Sequence, residues 1–301
     1  GFERRLRLAE RVLAASPARR FGALAAPPAA PPALGDRDSF YVCASSACTT
    51  FKRIGATVRY AGAPGVIYQD DNQPAGAEAI TGDDFQQLGS MFDSYLYPAD
   101  TTAFGRESDI NGDRHIAILM SPQVNALTTD CSGGRVIGYT FANDLVPGAP
   151  GSNGRAMFYT LTTAPATTTC TAVPRTGALT ALPSTLIHEL QHMISFNQHV
   201  LLRNGADQDI WLNEGLSHFA EELGWRTVPP AFCAGNCFGE FAGDNVGNAY
   251  DYLVNPEAEY LIAPESGDGT LPERGAAWLF VRWLADHYST DSLLGTQFTR
   301  A

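Results

Sequence analysis

His188-Glu189-Leu190-Gln191-His192 is the stretch of this sequence whose residue types and spacing could most directly do chemistry. It lies in a run that is apolar at helical spacing. A four-residue step on a helix turns about 400°, so both imidazoles leave from nearly the same side, about 6 Å apart along the axis. Two such nitrogens can share one zinc ion. Glu189 points between them, where it could reach a metal-bound water without being a ligand. A Lewis acid and a general base would then stand together.

A tetrahedral catalytic zinc needs a third protein ligand and one open position. The pattern H-E-x-x-H-x-x-G-x-x-H would need Gly at 195 and His at 198. This chain has Ser195 and Gln198, with His199 one place late. The other solution is a Glu on a following helix. Trp211-Leu212-Asn213-Glu214-Gly215-Leu216-Ser217 provides one, 22 residues after His192. A ligating His also needs a partner for its second ring nitrogen. Glu221, seven residues past Glu214 on the same helical face, is one candidate, and His218 competes with it.

Asp109-Ile110-Asn111-Gly112-Asp113 resembles the start of a calcium loop. Arg114 and His115 occupy the next places and Met120 stands where the loop's Glu would be, so Ca²⁺ is not favoured over an Asn-Gly turn leading into a strand.

These residues need elements to hold them. Ser184–Leu202 reads as the motif helix, stopped by Asn204-Gly205, and Ile210–Leu223 as a second helix packing back across it. Gly275–Tyr288 is a third. Earlier, Thr81–Tyr97 is helical with Thr81 as cap. Strands are expected at Ser39–Cys43, Ala56–Tyr60, Gly65–Gln69, His115–Met120, Arg135–Phe141 and Ala156–Leu161. Residues 3–16 read as a basic amphipathic helix, followed by an Ala/Pro-rich spacer from Ala23 to Pro32. This predicts a segment 1–35 that is linker or propeptide-like, and a body from 36 to 301. The body divides into a mixed-sheet lobe (about 36–183) and a mainly helical lobe (184–301), an α+β fold with the motif helix between them.

Of 301 residues, 20 are basic and 32 acidic, for a net charge of −12, and Lys52 is the single lysine. That balance argues against nucleic acid or anionic membrane as a partner. No run approaches the roughly 20 apolar residues of a membrane span. The six cysteines form three near pairs, Cys43 with Cys48, Cys131 with Cys170, and Cys233 with Cys237. Six cysteines allow 15 connectivities, and sequence alone does not choose among them. Pairing by proximity is the expectation because it closes short loops. Such disulfides would suit an oxidising compartment, so a secreted, periplasmic or cell-surface site is expected.

Ser184–Phe196 followed by Trp211–Glu222 resembles the gluzincin class of zinc metallopeptidases, and within it the hyicolysin-like group of secreted bacterial endopeptidases. The likeness covers roughly residues 36–295. Asp109–Asp113, Gly138-Tyr139, Asp144-Leu145 and Gly275–Tyr288 are similar to flanking segments of those proteins. The resemblance implies a zincin-like fold, one Zn²⁺ per chain held by His188, His192 and Glu214, Glu189 as base, and a protein or peptide substrate. It also implies an oxyanion-stabilising side chain from the helical lobe. Arg274 stands where relatives carry a Tyr, and Tyr260, Tyr252 and His287 are alternatives. A zinc aminopeptidase is the alternative within enzymes, although no G-x-M-E-N string precedes the motif helix. A zincin-fold binding or surface protein without catalysis is the non-enzyme alternative, against which the intact Glu189 argues.

Overall fold

The computed structural model describes residues 2–15, 30–74, 76, 78–264 and 269–289. The chain runs α1 (Phe2–Ala15), β1 (Arg37–Cys43), β2 (Phe51–Ala61), β3 (Gly65–Asp70), α2 (Gly82–Met91), α3 (Tyr97–Phe104), β4 (Ile116–Met120), α4 (Pro122–Ala126), β5 (Gly138–Thr140), β6 (Met157–Thr160), α5 (Arg175–Ser195), α6 (Ile210–Thr227), α7 (Cys237–Phe241), α8 (Gly243–Val254) and α9 (Leu271–Tyr288). The strands form one mixed sheet in the order β1-β2-β3-β4-β6-β5. Its β3–β4 and β4–β6 pairs are parallel and the others antiparallel. The helical half follows, so the α+β division is the one observed, and it is consistent with a zincin-like fold. No described helix is long and apolar enough to cross a membrane.

Helix α5 starts nine residues earlier than the sequence suggests, at Arg175, and runs through Pro183. A proline inside a helix forfeits one backbone hydrogen bond and costs about 3 kcal/mol. Ala178, Leu182 and Leu186 carry the buried stripe across that point, each fully buried, so apolar burial outweighs the lost bond. From Leu186 to Ser195 every side chain is buried, as befits a helix packed between sheet and helical lobe. A π-helical stretch continues it from Phe196 to Leu202. Asn204 then takes the left-handed conformation at φ 52°, which Asn tolerates well. The expected stop is therefore in place.

The other boundaries moved for similar local reasons. Helix α9 begins at Leu271 because Thr270 and Glu273 close a capping box around Pro272. Thr81–Tyr97 does begin with Thr81 capping and accepting from Asp84. It then passes through a π-helical stretch and on to Phe104 despite Pro98. Helix α8 had no counterpart in the sequence reading, since its Gly243 and Gly247 mask a short amphipathic pattern. The expected strand at 135–141 keeps only Gly138–Thr140. The spacer Ala23–Pro32 lies, up to residue 29, outside the described residues. The three cysteine pairs are disulfides in the proximity pairing.

Two contacts lock the helical lobe. Glu222 on α6 is buried and accepts from Arg226 at 2.5 Å and from Trp278 Nε1 on α9 at 3.2 Å, with Arg282 Nη1 at 3.4 Å. Helix α9 crosses α8 at Gly275, where a Cβ would stand 2.2 Å from the Ala249 backbone nitrogen. Backbone cannot swing aside as a side-chain tip can. Gly275→Ala is therefore expected to destabilise the chain by at least about 1–3 kcal/mol, the range for overpacking, read as a lower urea midpoint.

Candidate metal centre

Helix α5 carries His188, Glu189 and His192, and α6 carries Glu214. The two helices pack so that His188 Nε2 and His192 Nε2 are 3.0 Å apart. Glu214 stands across from them, its Oε2 3.7 Å from His188 Nε2 and its Oε1 3.8 Å from His192 Nε2. All three are buried, and their ligand atoms lie within 4.8 Å of one another. Neither oxygen of Glu214 accepts a hydrogen bond among the described residues, nor does Glu189 Oε2. Buried carboxylate oxygens without donors are costly. A divalent cation is the partner that suits two imidazole nitrogens and such a carboxylate. The residues present fit zinc.

The imidazoles are aimed from behind. His188 Nδ1 is 2.7 Å from Glu221 Oε1, and Glu221 is itself held by Asn245 Nδ2 at 2.7 Å and His218 Nδ1 at 3.1 Å. His192 Nδ1 bonds to Asn213 Oδ1 and lies 3.0 Å from Ser217 Oγ. Ser217 in turn donates to Gln191 at 2.6 Å. These bonds leave the Nε2 atoms facing inward. The structure thus joins both competing residues of the sequence reading, with Glu221 on His188 and His218 on Glu221. Asn213 and Ser217 were missed as partners, although both stand inside the Trp211–Ser217 string.

The charges here favour a cation. Burial disfavours a protonated His188, but the bond to Glu221 and the fields of Glu221, Glu189 and Glu214 outweigh it and raise the imidazole to about 9. His192 is held well below the ordinary value by burial, then by Arg7 and His188, so its ring stays neutral. Burial would raise Glu221, yet His218 and His188 draw it down to about 2. Glu189 is pushed up to about 7, mainly by burial.

Arg274 lines the same cleft as His188 and Glu189, with Nη1 3.4 Å from Glu214 Oε2. Tyr260 does not reach it. It is 59% exposed, on a segment whose backbone nitrogen meets Glu273. His287 is bound to the Trp283 carbonyl at the far end of α9. In the Asp109–Asp113 turn, Asp109 and Asp113 accept from the backbone nitrogens of Arg114 and His115 at 2.9 and 2.8 Å. Those carboxylates shape the turn into β4.

Over 173 residues, 57% of this chain, the sequence is 28% identical to a protein named neutral metalloprotease ShpI from Staphylococcus hyicus. The similarity supports a metalloprotease family. The matched part spans 36% of that protein's length. No family model matches the chain. A protease of that name implies a metal, and the His188, His192 and Glu214 group can hold one. Outer partners of metal-bound imidazoles are typically worth 10–100-fold in metal affinity. Glu221→Ala is expected to weaken zinc binding by about that range, measured by competition with a chromogenic chelator.

Proposed function

We propose that this protein is a secreted zinc endopeptidase of the gluzincin class, within the hyicolysin-like group. In this reading His188, His192 and Glu214 hold one zinc ion and Glu189 is the general base. The observation that carries it is the convergence of three buried ligand atoms beside Glu189, whose Oε2 accepts no hydrogen bond among the described residues. Zinc, when bound, supplies a Lewis acid that polarises a carbonyl and lowers the pKa of a water to about 7. Glu189 accepts a proton from the attacking water and delivers it to the leaving amine. Arg274 places positive charge in the cleft for the developing oxyanion. Glu221 and Asn213 hold the imidazoles against rotation. Strand β5 is an edge of the sheet beside α5, and an extended peptide can pair along such an edge. Gly138 permits that proximity, since a Cβ there would lie 2.5 Å from Thr185 Cγ2 and 3.6 Å from Glu189 Cγ. Three disulfides support an oxidising compartment.

The test pairs metal analysis with cleavage of casein and of N-acetylated peptides. One zinc per chain and internal cuts that stop with chelator and return with zinc are the expected results. Cuts confined to free amino termini would mean an aminopeptidase. Zinc-loaded protein that cleaves nothing across a broad peptide library, with residues 1–35 cut away as well as in place, would leave the binding-protein reading in its stead.

A further inference from the structure

Helix α1 reaches into the metal cleft with charged side chains. Glu3 pairs with Arg274 and lines the cleft with His188 and Glu189. One turn on, Arg7 is 2% exposed, with Nη2 3.2 Å from Thr140 Oγ1 on β5 and Nη1 2.8 Å from Glu10. The Arg7 charge acts on Glu189, Glu214 and His192. Phe2 sets its ring edge-on against Tyr139 of β5 at 5.2 Å. Arg11 fastens the far end to Asp209 at 2.8 Å and to the Gln208 carbonyl at 3.1 Å, just before α6. The helix therefore bridges the sheet lobe and the helical lobe across the cleft.

The match is one of opposite charges. Glu3 meets the cation expected to face an oxyanion. The charge of Arg7 is opposite to that of the carboxylates expected to face a metal and a proton, on which it acts. Phe2–Ala15 is α-helical, so it offers no extended peptide bond for cleavage. It nevertheless lies along β5, where an extended substrate would pair. Burying Arg7 and Glu10 carries a desolvation cost that their pairing offsets only in part. Such a contact is separable. The sheet does not need it, because β1 pairs with β2 from Arg37 onward. Between α1 and β1 the sequence carries Arg19-Arg20 and the Ala/Pro-rich run.

We propose that α1 is an intramolecular inhibitor that occupies the substrate cleft through Glu3 on Arg274 and Arg7 beside Thr140, and that it must leave before substrate enters. The proposal rests on the peptidase reading for its consequence, but cleft occlusion can be measured without it. The experiment uses the full chain with a recognition sequence for a specific protease placed within residues 19–29. Cut and uncut protein, both zinc-loaded, are compared for the rate at which dipicolinate strips zinc and for cleavage of a quenched peptide. The uncut double variant Glu3→Ala/Arg7→Ala is measured beside them, because a cut helix could stay bound. If the cleft is uncovered about a tenth of the time or less, release raises both rates about tenfold or more. A synthetic peptide of residues 1–20 added to the cut protein should lower them again. Faster stripping without peptide cleavage in any form supports the occluding helix and overturns the peptidase reading. Unchanged rates in both the cut protein and the double variant would overturn the inhibitor and make α1 a permanent part of the fold.

Discussion

Glu189→Gln is expected to keep its zinc and its fold while peptide cleavage falls by roughly 10³–10⁴-fold, the upper part of the range for general acid–base groups. The amide has the size of the carboxylate, so packing in the cleft is nearly unchanged. It cannot accept a proton at neutral pH. In the proposed mechanism one residue serves two transfers, from water and then to the leaving amine, so both would be lost together. Glu189 Oε2 accepts no hydrogen bond among the described residues, hence the substitution strands no donor at that atom. The comparison is made with α1 in place and with it cut away, with zinc measured in the same preparation. A variant that holds its zinc and still cleaves at near the parent rate would exclude this mechanism.

His192→Ala is expected to do the reverse and remove the metal. Burial and the nearby charges of Arg7 and His188 keep the His192 ring neutral, which is the form that ligates. Its loss leaves His188 and Glu214, one ligand short of a three-residue site. Affinity should fall by more than the roughly 10–100-fold typical of an outer-shell partner. Elemental analysis after dialysis at pH 7 should find little zinc in the variant. Full retention would show that the ligand set is wrong. Because Asn213 and Ser217 lose a partner too, unfolding should be compared in metal-free protein, where only the structural part of the loss remains.

The two predictions differ in how far their ground was readable before folding. The pairing of His188 with His192 follows from helical pitch alone, and so does the place of Glu189 between them. Glu214 needed only a turn and a second helix, both marked by Asn204-Gly205 and the Trp211–Ser217 string. Charge balance and the α+β division were similarly available from composition and pattern. The cysteine connectivity was not fixed in this way: six cysteines allow 15 pairings, and it is the fold that joins the proximity pairs, 4, 5 and 39 positions apart.

Other features depend on what comes to lie beside what. Pro183 looks like a boundary locally, and only the buried stripe from Ala178 to Leu186 keeps α5 whole. Whether Glu221 or His218 serves His188 depends on the rotation of α6 against α5, which places Glu221 Oε1 2.7 Å from the ring. Asn213 and Ser217 became partners of His192 by the same rotation. Arg274, Tyr260, Tyr252 and His287 were all candidates in the sequence, and packing of α9 against α8 and α6 left Arg274 in the cleft and Tyr260 in solvent. The sharpest case is α1. Its amphipathic, charged pattern is local and legible at residues 3–16. Its seat depends on Arg274, Thr140 and Asp209, over a hundred positions further along the chain. Helix pitch is a property of neighbouring residues, so sequence determined the ligand spacing, whereas complementarity between distant surfaces exists only once the chain has folded and was decided by the tertiary structure.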